Sequence, residues 1–369
     1  GTQGNVGFAA GSNGTVIVSG AGIWTNSAGT TVGDSGTGAV LIERGGSFSS
    51  GSSLVGRFAR GTVTVTGMNS TWNTSSLTVG FRETGTLTIT DGGMVSGTAR
   101  AIIGYQGFPG AFVGDGTVTV TGTGSTWVNS STGPNGGLAI GFLPGGIGTL
   151  TIADGGEVTV AGKTTIARSA GSTGTLNIGS AAGVAPVAPG TFSSSSLAFG
   201  AGDGRLTFNH TDLSKNYRFA PAISGKGKID HLAGYTTLTG DSSAFTGTTT
   251  VDGGTLAINN KLGGAVSVMS GGTLGGSGML TGDLLVSSVS SGATVAPGMS
   301  IGTLTVNGDY EQLSGGTLAI EIAPDGSAND LLAVGGTAQL LAGTLTAESE
   351  NGSLLTPAAA GTATSPKVY

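Results

Sequence analysis

Apolar and hydroxyl-bearing positions alternate in short runs that recur down the first half of the chain, each run opening on a glycine. They read Gly14-Thr15-Val16-Ile17-Val18, Gly61-Thr62-Val63-Thr64-Val65, Gly85-Thr86-Leu87-Thr88-Ile89, Gly116-Thr117-Val118-Thr119-Val120, Gly148-Thr149-Leu150-Thr151-Ile152 and Gly174-Thr175-Leu176-Asn177-Ile178, with the variant Gly38-Ala39-Val40-Leu41-Ile42. Strict period two predicts half-buried strands, branched aliphatics inward and threonines outward. Successive starting glycines lie 23 or 24 residues apart at first and up to 32 later. A recurrence of this size is the mark of a solenoid, in which each repeat stacks on the next.

Each run is followed by turn chemistry, Asp91-Gly92-Gly93, Asp154-Gly155-Gly156 or Glu43-Arg44-Gly45-Gly46. A second strand then carries Trp24, Phe48, Val95 or Val158 at one offset, with Trp72 and Trp127 one residue later. A third ends in a branched residue plus glycine: Val32-Gly33, Val55-Gly56, Val79-Gly80, Ile103-Gly104, Ile140-Gly141. Three short strands per repeat describe one coil of a parallel β-helix. Coils of roughly 24 residues running from Gly14 to Leu345 amount to about 14. The extra residues after Tyr105 and Thr132 are expected to bulge as loops. The Ala-Pro-Val-Ala-Pro stretch within Ser180 to Pro189 breaks the ladder, because proline supplies no donor. The expected organisation is regular repeats over 1–180, an irregular transition over 181–224, a second β-helical region over 225–345 and a loose tail over 346–369.

Composition agrees with an all-β chain. Glycine accounts for 74 of 369 residues without falling at every third position, and 37% of residues are hydrophobic, so neither collagen nor disorder fits. Only 9% are charged and the net charge is −6, which argues against nucleic acid or anionic lipid as the main partner. Cysteine is absent, removing disulfides and thiol chemistry. The chain has no run of apolar residues long enough for a membrane helix. It opens in mid-pattern at Gly1-Thr2-Gln3-Gly4, as expected of a fragment whose targeting segments are not included.

The second half carries a family resemblance. Ile223-Ser224-Gly225-Lys226-Gly227-Lys228-Ile229, Gly234-Tyr235-Thr236-Thr237-Leu238-Thr239-Gly240 and Phe245-Thr246-Gly247-Thr248-Thr249-Thr250-Val251-Asp252-Gly253-Gly254-Thr255-Leu256 resemble the passenger-associated transport repeat of bacterial autotransporters. Gly271-Gly272-Thr273-Leu274-Gly275-Gly276-Ser277-Gly278, Ala296-Pro297-Gly298-Met299-Ser300-Ile301-Gly302-Thr303-Leu304-Thr305-Val306 and Gly308-Asp309-Tyr310 resemble the junction that precedes the membrane barrel in that family. The resemblance is to AIDA-like and pertactin-like passengers of classical monomeric type V secretion. It implies a right-handed, single-stranded parallel β-helix exported to the Gram-negative cell surface through a C-terminal barrel. No barrel strands follow Leu345 in this sequence.

No constellation for catalysis emerges. Gly298-Met299-Ser300-Ile301-Gly302 matches a nucleophile elbow, but that motif needs a strand-to-helix turn and a later histidine, and His210 and His231 both precede Ser300. Neither histidine has metal spacing, and both are expected at the surface or in loops. Asp91, Asp154 and Asp252 read as turn residues rather than metal ligands. Trp24, Trp72 and Trp127 share the offset of Phe48, Val95 and Val158, so an interior stack is expected rather than a sugar platform. The outward threonines Thr62, Thr64, Thr86, Thr88, Thr117, Thr119, Thr149 and Thr151 are the candidate adhesive surface. No cofactor or metal is expected. The expected function is a non-enzymatic adhesin binding a host cell-surface or matrix protein or glycan, or sister copies. A polysaccharide-degrading β-helix enzyme and a passive stalk are the alternatives, the enzyme requiring several charged side chains converging in one groove.

Overall fold

The computed structural model of the chain describes residues 3–106, 113–133, 136–286 and 292–350. All of its elements are strands, and no helix occurs among the described residues. The chain divides into two compact units, Gly1–His210 and Thr211–Tyr369.

In the first unit the recurrent runs form one parallel sheet: Asn13–Ser19, Thr37–Glu43, Gly61–Thr66, Gly85–Thr90, Asp115–Thr121, Ile147–Ala153, Thr173–Gly179 and Asp203–Asn209. Register is kept residue for residue, so Gly61 pairs with Gly85, Gly85 with Gly116 and Gly116 with Gly148. A second parallel sheet takes both remaining strands of each coil. These run together in Ser47–Val55, Thr71–Val79, Glu157–Ile166 and Thr191–Phe199, and stay separate elsewhere, as in Met94–Gly97 and Ala101–Ile103. Small residues at the bend, Ser50-Gly51-Ser52 and Thr74-Ser75-Ser76, let the ladder turn without breaking. The second unit has three distinct parallel sheets, typified by Thr248–Val251, Gly254–Ile258 and Lys261–Leu262 within one coil. Three separate strands per coil therefore hold over four successive coils of that unit, from Thr248 to Val334, whereas in the first unit two of the three share a sheet. The main sheets carry eight rungs in the first unit and six in the second, the fourteen expected.

Two expected boundaries differ from the structure. Within 181–224, Asp203–Asn209 continues the ladder in register with Thr173–Gly179, and Thr191–Phe199 pairs with Glu157–Ile166. The prolines are confined to an excursion between rungs, so the ladder resumes after them. In the tail, Thr344–Ser349 pairs with Gly316–Ile322. Its alternation of Thr and Leu is short but sufficient when a neighbouring strand is already in place. Residues 351–369 lie outside the described ones.

The inward aliphatics fill the core. Val63, Val65, Leu87, Ile89, Val118, Val120, Leu150, Ile152, Leu176 and Ile178 are fully buried. The aromatic column aligns Trp24, Phe48, Trp72, Val95, Trp127, Val158 and Phe192 one above another; it is interior as expected from Phe48 to Phe192, whereas Trp24 at its end is only half-buried. Trp72 and Trp127 reach this column one residue late because their turns are longer. Gly67 and Asn69, like Gly122 and Gly124, take positive φ there. The short turns are tighter. Arg44-Gly45, Asp91-Gly92 and Asp154-Gly155 have positive φ at both central residues, closed by Gly46 N–H to Glu43 C=O at 2.9 Å and its equivalents.

Glycine at the other corner is dictated by crowding. Gly56 donates to Val32 C=O, Gly80 to Val55 C=O, Gly104 to Val79 C=O and Gly141 to Ile103 C=O, at 2.7–2.8 Å. All four have φ between 73° and 76°. The starting glycine of the next run lies against the same hydrogen bond: a Cβ on Gly61 would meet Gly56 N and Val32 O, and one on Gly85 would meet Gly80 N and Val55 O. One rung departs from this rule, with Ala167 at φ 51° in the equivalent place. A left-handed non-glycine residue costs about 1 kcal/mol. Ala167→Gly is therefore expected to stabilise the first unit by about that amount in denaturant titration.

Candidate functional site

The outward threonines form two continuous columns. Thr62, Thr86, Thr117 and Thr149 pair in sequence, as do Thr64, Thr88, Thr119 and Thr151. All eight are half-buried. Hydroxyls of one column therefore repeat every 4.8 Å or about that, the spacing of neighbouring strands. The columns are bounded by Ala39 and Leu41 on one side. On the other, Thr175 extends the first, and Asn177 closes the second by donating Nδ2–H to Thr151 Oγ1 at 3.2 Å. Beyond them the face deepens into a hollow of about 410 Å³ lined by Thr149, Thr175, Asn177, Asp203, Arg205 and Thr207 among others. Buried Asn177 Oδ1 and Thr207 Oγ1 line it without a protein hydrogen-bond partner. The loops after Tyr105 and Thr132, also candidates from the sequence, lie partly outside the described residues.

A second surface, not anticipated from the sequence, runs along the glycine corner. The residues that follow three of the corner glycines stack along it, half-buried Phe81 and Tyr105 and buried Phe142, with centroids 4.8 and 5.5 Å apart. Arginines flank the stack. Arg57 pairs with Asp34 at 2.8 Å and lies over Phe58 at 4.7 Å. Arg82 lies 5.6 Å from the Phe81 centroid, and Arg168 and Arg100 lie 4.5 and 5.2 Å from that of Phe142. The signal was present in Val55-Gly56-Arg57-Phe58, Val79-Gly80-Phe81-Arg82, Ile103-Gly104-Tyr105 and Ile140-Gly141-Phe142, one step past the glycines.

The remaining singled-out residues are structural. His210 and His231 are fully buried, not superficial. His231 Nδ1 lies 2.8 Å from Gly253 C=O and Nε2 lies 3.1 Å from Thr236 Oγ1. A carbonyl only accepts, so Nδ1 carries a proton and the ring spans two rungs as a polar pin. Asp91 and Asp154 sit in left-handed turns and accept from Thr66 and Thr121 hydroxyls at 3.0 Å. Ser300 lies in the turn between Ala293–Pro297 and Thr303–Val306, with no helix after it. Among the described residues no group of three His, Asp or Glu side chains is placed to hold a metal.

No family model matches the chain. Over 187 residues it is 37% identical to the adhesin BmaC autotransporter of Brucella suis biovar 1 (strain 1330), covering 48% of this chain and 5% of that protein. It is 34% identical over 155 residues to the uncharacterized lipoprotein YdeK of Escherichia coli (strain K12), covering 40% of this chain and 12% of that protein. The chain thus spans only a small part of the length of these relatives. Among solved structures, the TibC-catalyzed hyper-glycosylated TibA fragment aligns over 94% of this chain and 97% of that chain at 17% identity, with a TM-score of 0.33. That score adds nothing to the fold, which rests on strand register. The resemblance to autotransporter passengers read from the sequence is matched by the likeness to part of such a protein.

Proposed function

We propose that this chain is part of the surface-exposed passenger of a Gram-negative autotransporter and acts as an adhesin without catalysis. Its working surface is the threonine face, bearing on a host cell-surface or matrix protein or glycan, or on sister copies. The observation that carries this reading is the in-register pair of hydroxyl columns over four successive rungs. A regular array offers many weak, identical contacts, and such contacts sum to avidity when the partner is itself repetitive. The likeness to an autotransporter adhesin supports the same class of function. The threonine face brings together hydroxyls but no acid–base pair, so it suits binding rather than bond cleavage.

The test alters the face without disturbing the core. Thr88→Arg with Thr119→Glu places opposite charges on paired strands, which keeps the ladder satisfied. Beads coated with the full chain are expected to lose attachment to cells and immobilised matrix by about tenfold or more, because avidity multiplies small losses per contact. Self-association is measured in parallel by sedimentation. Attachment and association both unchanged, with an unaltered melting temperature, would count against the threonine face.

A further inference from the structure

The chain carries an excess of acid over base, yet three of its cations are gathered in one place. Arg100, Lys163 and Arg168 line a hollow of about 360 Å³ in the first unit, together with Phe142, Thr165 and Ser195. No Asp or Glu is among the described residues that line it. The positions are remote in sequence and are brought together by stacking. Arg100 precedes Ala101–Ile103, Phe142 follows the corner at Gly141, Lys163 lies on Glu157–Ile166, and Arg168 follows the left-handed corner at Ala167.

Phe142 organises the two guanidinium groups. It is nearly buried, stacks on Tyr105 at 5.5 Å, and holds both arginine heads within 5.2 Å of its centroid. An arginine flattened on a ring, as Arg168 is on Phe142 at 4.5 Å, holds its N–H edge in a fixed plane, the geometry that suits bidentate contact with carboxylate or sulfate. Burial and the neighbouring Arg168 charge both hold the Arg100 guanidinium below its ordinary pKa. Like charges held together raise the free energy of the empty hollow, and an entering oxyanion relieves that repulsion.

We propose that this hollow is a binding site for an anionic sugar residue of an acidic polysaccharide, bearing either carboxylate or sulfate. The cations take the oxyanion, and the Thr165 and Ser195 hydroxyls meet the sugar hydroxyls. The size of the hollow falls within the range of about 300–1,000 Å³ usual for small-molecule sites, enough for a sugar unit of a longer chain lying across the surface. The hydroxyls favour a polysaccharide over an acidic peptide. The site is separate from the threonine face and stands or falls without it.

The test measures binding of the full chain to sulfated dextran, polygalacturonate, uncharged dextran and polyglutamate, at low and high salt. Binding to one or both acidic polysaccharides, weakened by salt and absent for uncharged dextran, is expected, and the stronger of the two identifies the oxyanion. Arg168→Gln with Lys163→Gln should weaken it by about tenfold or more, as loss of charge-assisted contacts predicts. The charge-matched control Arg44→Gln with Lys226→Gln should change it by less than about twofold, since exposed charges that do not line the hollow contribute little. Arg168→Lys, which keeps the charge and loses the fork, should fall between. Thr88→Arg with Thr119→Glu should bind as the unaltered chain does, which separates this site from the adhesive face. Equal affinity for uncharged dextran, or an unaffected Arg168/Lys163 double variant, would overturn the site. Preference for polyglutamate would overturn the class of partner.

Discussion

Replacing Gly104 by valine is expected to destabilise the first unit by about 4 kcal/mol or more, among the largest effects of any single substitution. Two terms combine. Gly104 has φ 75°, a conformation that costs an ordinary residue about 1–2 kcal/mol and a β-branched one more. A Cβ there would also meet Ile147 O, Ile147 C and Gly148 N. Those are backbone atoms of a strand paired on both sides, so they cannot step aside. The hydrogen bonds on either side of the corner, Gly104 N–H to Val79 C=O at 2.8 Å and Phe142 N–H to Gly104 C=O at 2.9 Å, would be strained with them. Gly11 separates the terms, having φ 75° but nothing within 4 Å of where a Cβ would lie. Gly11→Ala should therefore cost only about 1 kcal/mol. Denaturant unfolding gives the totals. Hydrogen exchange should show the Gly104 loss concentrated in rungs Gly85–Thr90, Asp115–Thr121 and Ile147–Ala153, because stacked coils couple chiefly to their neighbours. A Gly104 variant no weaker than Gly11→Ala would refute the crowding account.

The same corner shows why the fold was largely legible in the sequence. A repeat must satisfy identical local constraints at each rung, so Gly61, Gly85, Gly116 and Gly148 recur at one register position and the alternating Val, Leu and Ile recur at two others. Periodicity multiplies a weak local signal. What it could not give was how strands divide into sheets. Whether Ser47–Val55 is one strand or two depends on whether small residues at its bend keep pairing, which is a property of neighbouring coils rather than of the run itself. The burial of His231 was hidden for a related reason. Its partners Thr236 and Gly253 C=O come from the next stretch of chain and make a polar side chain acceptable inside.

The threonine columns were legible because they belong to the repeat. The cationic hollow was not, because it breaks the repeat. Phe81, Tyr105, Phe142 and Arg168 occupy one corner position with different residues, and Arg100 and Lys163 enter from other parts of their coils. A search for recurring types passes over a site built from residues that differ at each rung. In a solenoid the core and corners must repeat, so departures at outward positions are where individual binding chemistry resides.

Trp72→Ala carries the second large effect, an expected loss of about 3–5 kcal/mol from the cavity and lost transfer energy of a buried indole. Trp72 is fully buried, stacked on Phe48 at 5.6 Å and 15°, and donates its indole N–H to Ser50 Oγ at 2.9 Å. Its rung neighbours are Phe48 on one side and Val95 on the other. Neither can fill the space, because each is fixed by its own ladder. Trp72→Phe preserves the stack and removes the hydrogen bond, so it should cost about 1–2 kcal/mol less than the alanine change. The comparison decides what the tryptophan column is for. If it were a sugar platform, truncation would abolish carbohydrate binding and leave stability intact. As an interior column it must do the reverse, with thermal or denaturant unfolding displaced well below that of the unaltered chain and binding at the threonine face and the cationic hollow retained wherever the fold persists.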